Sequence, residues 1–184
     1  MTKWKKRDRV RVGDHSYTVL RVLGKQPGGD LYLVIEGGQM FTLEECSYLT
    51  QEEREKYIAE AVACYNCLRQ IGINVPKLVC ADAQAGILMK KYIGGEVASN
   101  LILTGALKPE NLEQAAAMSK AAENAGVCLD YFPTNYVVCE KQIYYLRYYC
   151  TAYDEKDNFD HRGCKYWMRA GDLMKSIAGE TDKD

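Results

Sequence analysis

A carboxylate and a carboxamide stand five residues apart in Asp130-Tyr131-Phe132-Pro133-Thr134-Asn135. An ionised Asp only accepts hydrogen bonds, and an Asn side chain offers a neutral oxygen that can ligate a hard cation. Glycines gather at a second place, Leu23-Gly24-Lys25-Gln26-Pro27-Gly28-Gly29-Asp30-Leu31, where unhindered backbone amides can approach an anion. The same residues would also make an ordinary hairpin loop. A third cluster, Asp154, Glu155, Asp157 and Asp160, could hold a metal, although carboxylates so placed more simply open a helix by complementing its dipole. Cys64 and Cys67 form a C-x-x-C without a second ligand pair, so core packing is the expected use of these and the other six cysteines.

These groups need elements to position them. Residues 10–12 and 17–23 read as strands, and the glycine loop leads into a third at 31–35. Gly37-Gly38 matches a two-residue hairpin turn into 40–46. Thr50 and Glu53 form a capping box at the head of a helix over 51–71. That helix sets Tyr57, Ile58, Ala61, Val62, Tyr65 and Leu68 on one face, and Gly72 is its stop. Strands at 75–80 and 86–93 complete a sheet of about five strands. Pro109 suits the start of a helix that continues over 112–125, with Gly126 after it. The Asp130 segment then leads into a hairpin, 136–139 and 143–149. A last helix is expected over 159–177, carrying Phe159, Cys164, Trp167, Met168, Leu173 and Met174, with a frayed tail at 179–184.

The 184 residues suit one compact domain or two small lobes, and 47% hydrophobic with 27% charged residues is the balance of a globular protein. A net charge of −1 gives no global attraction to polyanions. No apolar run has transmembrane length, and the start lacks the apolar stretch of a secretory signal, so a cytoplasmic location is expected. Six positive charges lie between Lys3 and Arg11 with Trp4 among them. They could touch RNA, but the stretch reads as a solvated arm and edge strand; neither nucleic acid nor membrane is an expected partner.

The order of elements, the glycine loop and the Asp-x-x-x-x-Asn spacing together resemble the protein-kinase-like superfamily, in particular its small atypical members, the RIO-like and KEOPS-associated kinases and the aminoglycoside phosphotransferases. The resemblance spans residues 17–150. It implies an α+β, two-lobed fold: an antiparallel N-lobe over 1–93 with one helix like αC, and a truncated, mostly helical C-lobe over 94–184. Asp130 then matches the catalytic base and Asn135 the metal ligand, with Cys128-Leu129 in place of His-Arg. Gly24 and Gly29 match the first and third glycines of the phosphate-covering loop. Gly28 lies beside them, and Gln26 stands where the second glycine belongs. Glu60 resembles the αC glutamate, and Lys91-Tyr92-Ile93-Gly94-Gly95 resembles the hinge that holds adenine. Lys25, Lys90 and Lys91 are further candidates for phosphate contact. ATP and Mg²⁺ are the implied cofactors.

Two departures strike this chemistry. Glu44 occupies the position of the lysine that grips the α and β phosphates, and Arg147 occupies that of the metal-binding aspartate of the D-F-G element. A carboxylate repels triphosphate and a guanidinium cannot bind Mg²⁺. The expectation is therefore a degenerate, pseudokinase-like module that binds a protein partner or a nucleotide without turnover. The alternative is an active atypical phosphotransferase using Asp130 and Asn135. Because the family places the lysine and the aspartate face to face, Glu44 and Arg147 are expected to pair.

Overall fold

The protein, seen here as a computed structural model, is described over residues 3–168. It is a mixed α+β chain of two compact units. Among the described residues the first comprises 3–65 and 76–92, the second 66–75 and 93–168.

In the first unit, β1 (Arg9–Val12), β2 (His15–Lys25), β3 (Asp30–Glu36) and β4 (Gln39–Glu45) are joined by β5 (Leu78–Asp82) and β6 (Ile87–Lys91). All pair antiparallel in one sheet of order β1-β2-β3-β4-β6-β5. The sheet has six strands rather than about five. The reason is Gly13, whose φ of 58° reverses the chain tightly enough for all four residues of β1 to pair with β2. Gly37 and Gly38, at φ 55° and 78°, make the primed turn that the sequence predicts between β3 and β4. Alternation sets Tyr17, Val19, Tyr32, Val34, Phe41, Leu43 and Met89 into one apolar cluster, against which Trp4 packs.

Helix α1 (Gln51–Ile71) begins in this unit. Thr50 and Glu53 satisfy each other as expected: the Thr50 amide and hydroxyl donate to the Glu53 carboxylate, and the Glu53 amide donates to the Thr50 hydroxyl. Those bonds hold the Glu53 carboxyl below its ordinary range. Ile58, Ala61 and Leu68 are buried, while Tyr57, Val62 and Tyr65 are half-buried along the same face. The stop is a Schellman motif at Gly72, φ 88°, with amides of Gly72 and Ile73 donating to the carbonyls of Arg69 and Leu68.

The second unit holds β7 (Glu96–Val97), α2 (Ala98–Thr104), α3 (Pro109–Asn124), β8 (Val127–Leu129), β9 (Tyr136–Cys139), β10 (Gln142–Tyr145) and β11 (Cys150–Ala152). β9 and β10 form the expected hairpin, extended by β7, while β8 pairs with β11. The expected strand over 143–149 ends at Tyr145. There the Leu146 amide turns away to the Asn135 carbonyl at 2.8 Å, and the chain re-enters a ladder only at Cys150. Strands of two or three residues carry no readable period, which is why β7, β8 and β11 escape sequence analysis. Over its described part, residues 159–168, the expected helix over 159–177 is instead a π-helical turn, Phe159–Gly163, followed by a 3-10 turn, Cys164–Trp167. Its cap is Asn158, which accepts from the His161 amide, and of the acidic cluster Asp160 stands in its first turn. Leu173, Met174 and the tail lie outside the described residues. Among the described residues no helix is long and apolar enough to cross a membrane.

Glycines separate by mechanism. A Cβ at Gly29 would run into the Glu45 backbone carbonyl, whereas one at Gly37 would meet nothing and suffer only its positive φ. Gly37→Ala should cost about 1 kcal/mol by chemical denaturation. Gly29→Ala should cost on the order of 3 kcal/mol, since backbone cannot yield as a side chain can.

Candidate functional site

The glycine loop is a closed hairpin. Lys25 pairs with Asp30 across it, and between them the Gln26 amide donates to the Gly29 carbonyl at 2.7 Å while the Gly29 amide returns the bond to Gln26 at 3.1 Å. Pro27 has no amide to give. The Gly28 amide donates to Glu44 Oε1 at 3.2 Å. Every amide from 26 to 29 is thus bonded within the unit, and Gly28 and Gly29 are buried. Gly24, at φ 150°, lets β2 bend into this turn.

Glu44 is drawn to that place by register. Phe41 and Leu43 on β4 face the apolar cluster, so the residue between Leu43 and Glu45 faces the opposite side, toward α1. There the Tyr57 hydroxyl donates to the same Oε1 at 2.8 Å. Glu44 is only 5% exposed. A Cβ at Gly28 would come within 2.7 Å of Oε1 and 3.0 Å of the Tyr57 ring, so the glycine is there to admit the carboxylate. Cys46, also fully buried, lies behind them. Burial, with the charges of Glu44 and Glu45, pushes its thiol up to about 12.

The other residues of the first unit implied by the kinase resemblance have local partners or face outward. Glu60 is 65% exposed and pairs with Lys56 at 4.0 Å along α1; Tyr57, one turn earlier, is the helix residue that meets Glu44. The amides of Lys91 and Tyr92 are both spent in the sheet, donating to Lys77 and Met40 carbonyls at 2.8 and 3.1 Å. Lys25 is exposed, 5.8 Å over the Tyr48 ring, Lys90 is half-buried on β6, and Lys91 is exposed.

In the second unit, Asp130 follows β8 and Asn135 ends a 3-10 turn, Pro133–Asn135, that opens the β9–β10 hairpin. Asp130 Oδ1 accepts from the Phe132 amide at 3.3 Å, and Oδ2 lies 3.9 Å from Arg147 Nη1. Arg147 also covers the Tyr149 ring at 5.7 Å. Its carboxylate partner is therefore Asp130, within its own unit, while Glu44 has donors within the other. A guanidinium so close to Asp130 repels a second cation and supplies no ligand of its own.

Tyr145 and Trp167 are the residues that sequence reasoning missed. The Tyr145 hydroxyl accepts from the Asp130 amide at 3.2 Å and donates to the Tyr149 carbonyl at 2.9 Å, tying the Asp130 loop to the Arg147 segment. Burial drives its phenol well above the ordinary value, so it keeps the proton it donates. Trp167 Nε1 donates to the Tyr131 carbonyl at 2.7 Å, and Gly163 leaves room for the Tyr131 ring. Aromatic residues in an apolar run signal core; nothing in their spacing marks a hydroxyl or indole as a fastener.

None of the eight cysteines is in a disulfide, and Cys64 and Cys67 lie half-buried on α1. Asp157 accepts from the Tyr131 hydroxyl at 2.8 Å and lies 3.5 Å from Arg162. Among the described residues no group of three or more His, Cys, Asp or Glu side chains is gathered as a metal site. No family model matches this chain, and no curated protein matches it.

Two outcomes are expected here. Tyr57→Phe removes a donor to a buried carboxylate and should destabilise the protein by about 2 kcal/mol in urea. Between the ordinary thiol value of 9.0 and about 12, the unfolded chain releases the Cys46 proton and the folded chain keeps it, so stability falls as pH rises through that window. Alkylation with iodoacetamide at moderately alkaline pH, read by mass spectrometry, should accordingly spare Cys46 in the native protein and label it in urea.

Proposed function

We propose that this chain is a two-lobed, protein-kinase-like module that has given up phosphoryl transfer and works by binding, with the neighbourhood of the Asp130 loop as its recognition surface. The observation that carries this reading is the Arg147 guanidinium 3.9 Å from Asp130. At the position where the resemblance calls for a metal-binding carboxylate, the chain supplies a cation, and it holds that cation beside the would-be base.

The glycine loop supports the same reading from the other unit. A phosphate-covering loop works by offering free amides to an anion, and a lysine adds the opposite charge. Here Glu44, a resident anion, takes the Gly28 amide, and Gln26 and Gly29 bond each other. The positions implied for adenine, Lys91 and Tyr92, have their amides committed as well. Transition-state stabilisation by preorganised charge supplies several kcal/mol per contact in phosphoryl transfer, and two of the contacts are reversed in sign.

What speaks for the alternative, an active ATP-dependent phosphotransferase, is the retained Asp130 and Asn135 at the mouth of a strand, loop and hairpin. Thermal melting with ATP, with and without Mg²⁺, together with a phosphoryl-transfer assay on native and Asp130→Asn protein, decides between them. A ligand at a hundred times its Kd adds about 2.7 kcal/mol to the native state, so a working site must raise Tm. The expected outcome is no Mg²⁺-dependent shift and no turnover sensitive to Asp130. A saturable shift that requires Mg²⁺, with turnover lost in Asp130→Asn, overturns the proposal in favour of the enzyme.

A further inference from the structure

The basic start of the chain is not a free arm. Trp4 packs edge-on against Tyr32 with ring centroids 5.1 Å apart, and its amide donates to the Tyr32 hydroxyl. Lys3 reaches the buried Glu45 carboxylate at 2.8 Å. After a turn over residues 5–8, the Arg7 amide donates to the Val19 carbonyl and the Val19 amide to the Asp8 carbonyl, so pairing with β2 starts ahead of β1 itself. The stretch is therefore held in one conformation before any ligand arrives.

What it holds out is charge. Lys5, Lys6, Arg7, Arg9 and Arg11 are all exposed, and none is in an ion pair among the described residues. Along β1, Arg9 and Arg11 point away from the buried Val10 and Val12, opposite Thr18 and Ser16 of β2. The carboxylates close by are otherwise engaged: Asp8 accepts from the Lys5 amide, and Glu36 accepts from the Ser16 amide and lies 3.0 Å from His15. Asp14 sits in the turn beyond Arg11. From Lys3 to Arg11 six cations face one acid in a chain whose net charge is −1, so the remainder carries −6.

The turn adds a second, independent sign. The Asp8 amide donates to the Lys5 carbonyl, and Arg7 adopts φ 78° at the third position of that turn, where glycine or asparagine is at ease. A long cationic residue kept in a left-handed conformation is a local strain of the kind found where function needs the side chain.

We infer that this face of β1 and β2, with the Lys5–Asp8 turn, binds the phosphate backbone of double-stranded nucleic acid without reading its sequence. Arg, Lys, Ser and Thr are the side chains that contact phosphate, and here they stand side by side on the edge pair of the six-stranded sheet. Single strands call for aromatic platforms, and this face exposes no Phe, Tyr or Trp among the described residues, Trp4 being spent on the core. The inference is independent of the reading of the Asp130 loop.

Fluorescence anisotropy with labelled DNA and RNA duplexes of mixed sequence, their single strands and phosphatidylserine vesicles tests it across a salt series. With five phosphate contacts log K should fall against log salt with a slope of about −4.5, roughly a 500-fold weakening for a fourfold rise in salt. Arg9→Ala with Arg11→Ala should lower the steepness by about 2, while Lys56→Ala, exposed on α1, should leave it unchanged. Arg7→Gly separates binding from folding: it relieves the turn, so Tm should hold or rise while duplex affinity drops. Absence of duplex binding at low salt, tighter binding to single strands or to vesicles, or an affinity untouched by the Arg9, Arg11 and Arg7 substitutions each overturns the inference.

Discussion

A carboxylate taken out of water has to be met by donors, and the way Glu44 is met explains much of the first unit. Removing an ionised group from solvent costs several kcal/mol unless hydrogen bonds replace the lost hydration. Two of the replacements come from different parts of the chain: a backbone amide in the loop between β2 and β3, and a phenol on α1. Each imposes a condition. The loop must carry glycine at 28, because a Cβ would occupy the space of Oε1, and glycine at 29, because one there would strike the carbonyl of Glu45. The helix must deliver Tyr57 to the sheet, which its capping box and apolar face accomplish by fixing where it starts and which side is buried. The Glu44 side chain therefore accounts for the glycine at 28 and the helix contact, and the Glu45 backbone beside it for the glycine at 29.

The second unit solves a comparable problem with neutral groups. The Asp130 loop lies between strands of three and four residues, too short to hold a loop by their ladders alone. Its rigidity comes from side chains that bond its backbone. The Tyr145 hydroxyl takes the Asp130 amide, Trp167 holds the Tyr131 carbonyl, and the Leu146 amide closes on Asn135. The Tyr136 ring lies tilted against Tyr145 and edge-on to Trp167, with centroids 5.1 and 4.9 Å apart, so the two fastening side chains also share a core. Asp130 and Arg147 are left partly open on the outside of this arrangement, 21% and 31% exposed. An ion pair of that kind adds little to stability, so its consequence is chemical: which charge an incoming group meets.

Much of the scaffold was legible because it is written in local rules. The capping box at Thr50, the paired glycines at 37 and 38, the stop at Gly72 and the strand and helix patterns each depend on residues within a few positions of one another. That Asp130 and Asn135 share one loop between a strand and a hairpin was legible for the same reason. What was not legible depends on residues far apart in sequence. Gly28 looks like one more glycine in a phosphate loop until β4 is set beside it and Glu44 takes its amide. Glu60 has the helical position of a cleft glutamate, yet the apolar face of α1 is rotated so that Tyr57 turns inward and Glu60 outward; a shift of three residues is nearly one turn, and periodicity alone does not resolve it. The contact of Arg147 with Asp130 is of the same kind: seventeen positions separate them, and only the hairpin between brings the guanidinium to the carboxylate.

The donors around position 44 also show why its character is not a matter of one substitution. A lysine there would turn three more N–H groups toward an amide and a phenol that already point donors inward, and it would accept from neither. The loop would have to open so that the Gly28 amide could find water or an external anion, and Gln26 and Gly29 would have to give up the bonds that close the turn. A loop that grips phosphate is stable with its amides waiting; this one is stable because they are used. The carboxylate of Glu44 and the closed form of the glycine hairpin are thus one structural state, and phosphate binding by this loop would require a change in both the side chain and the backbone that now receives it.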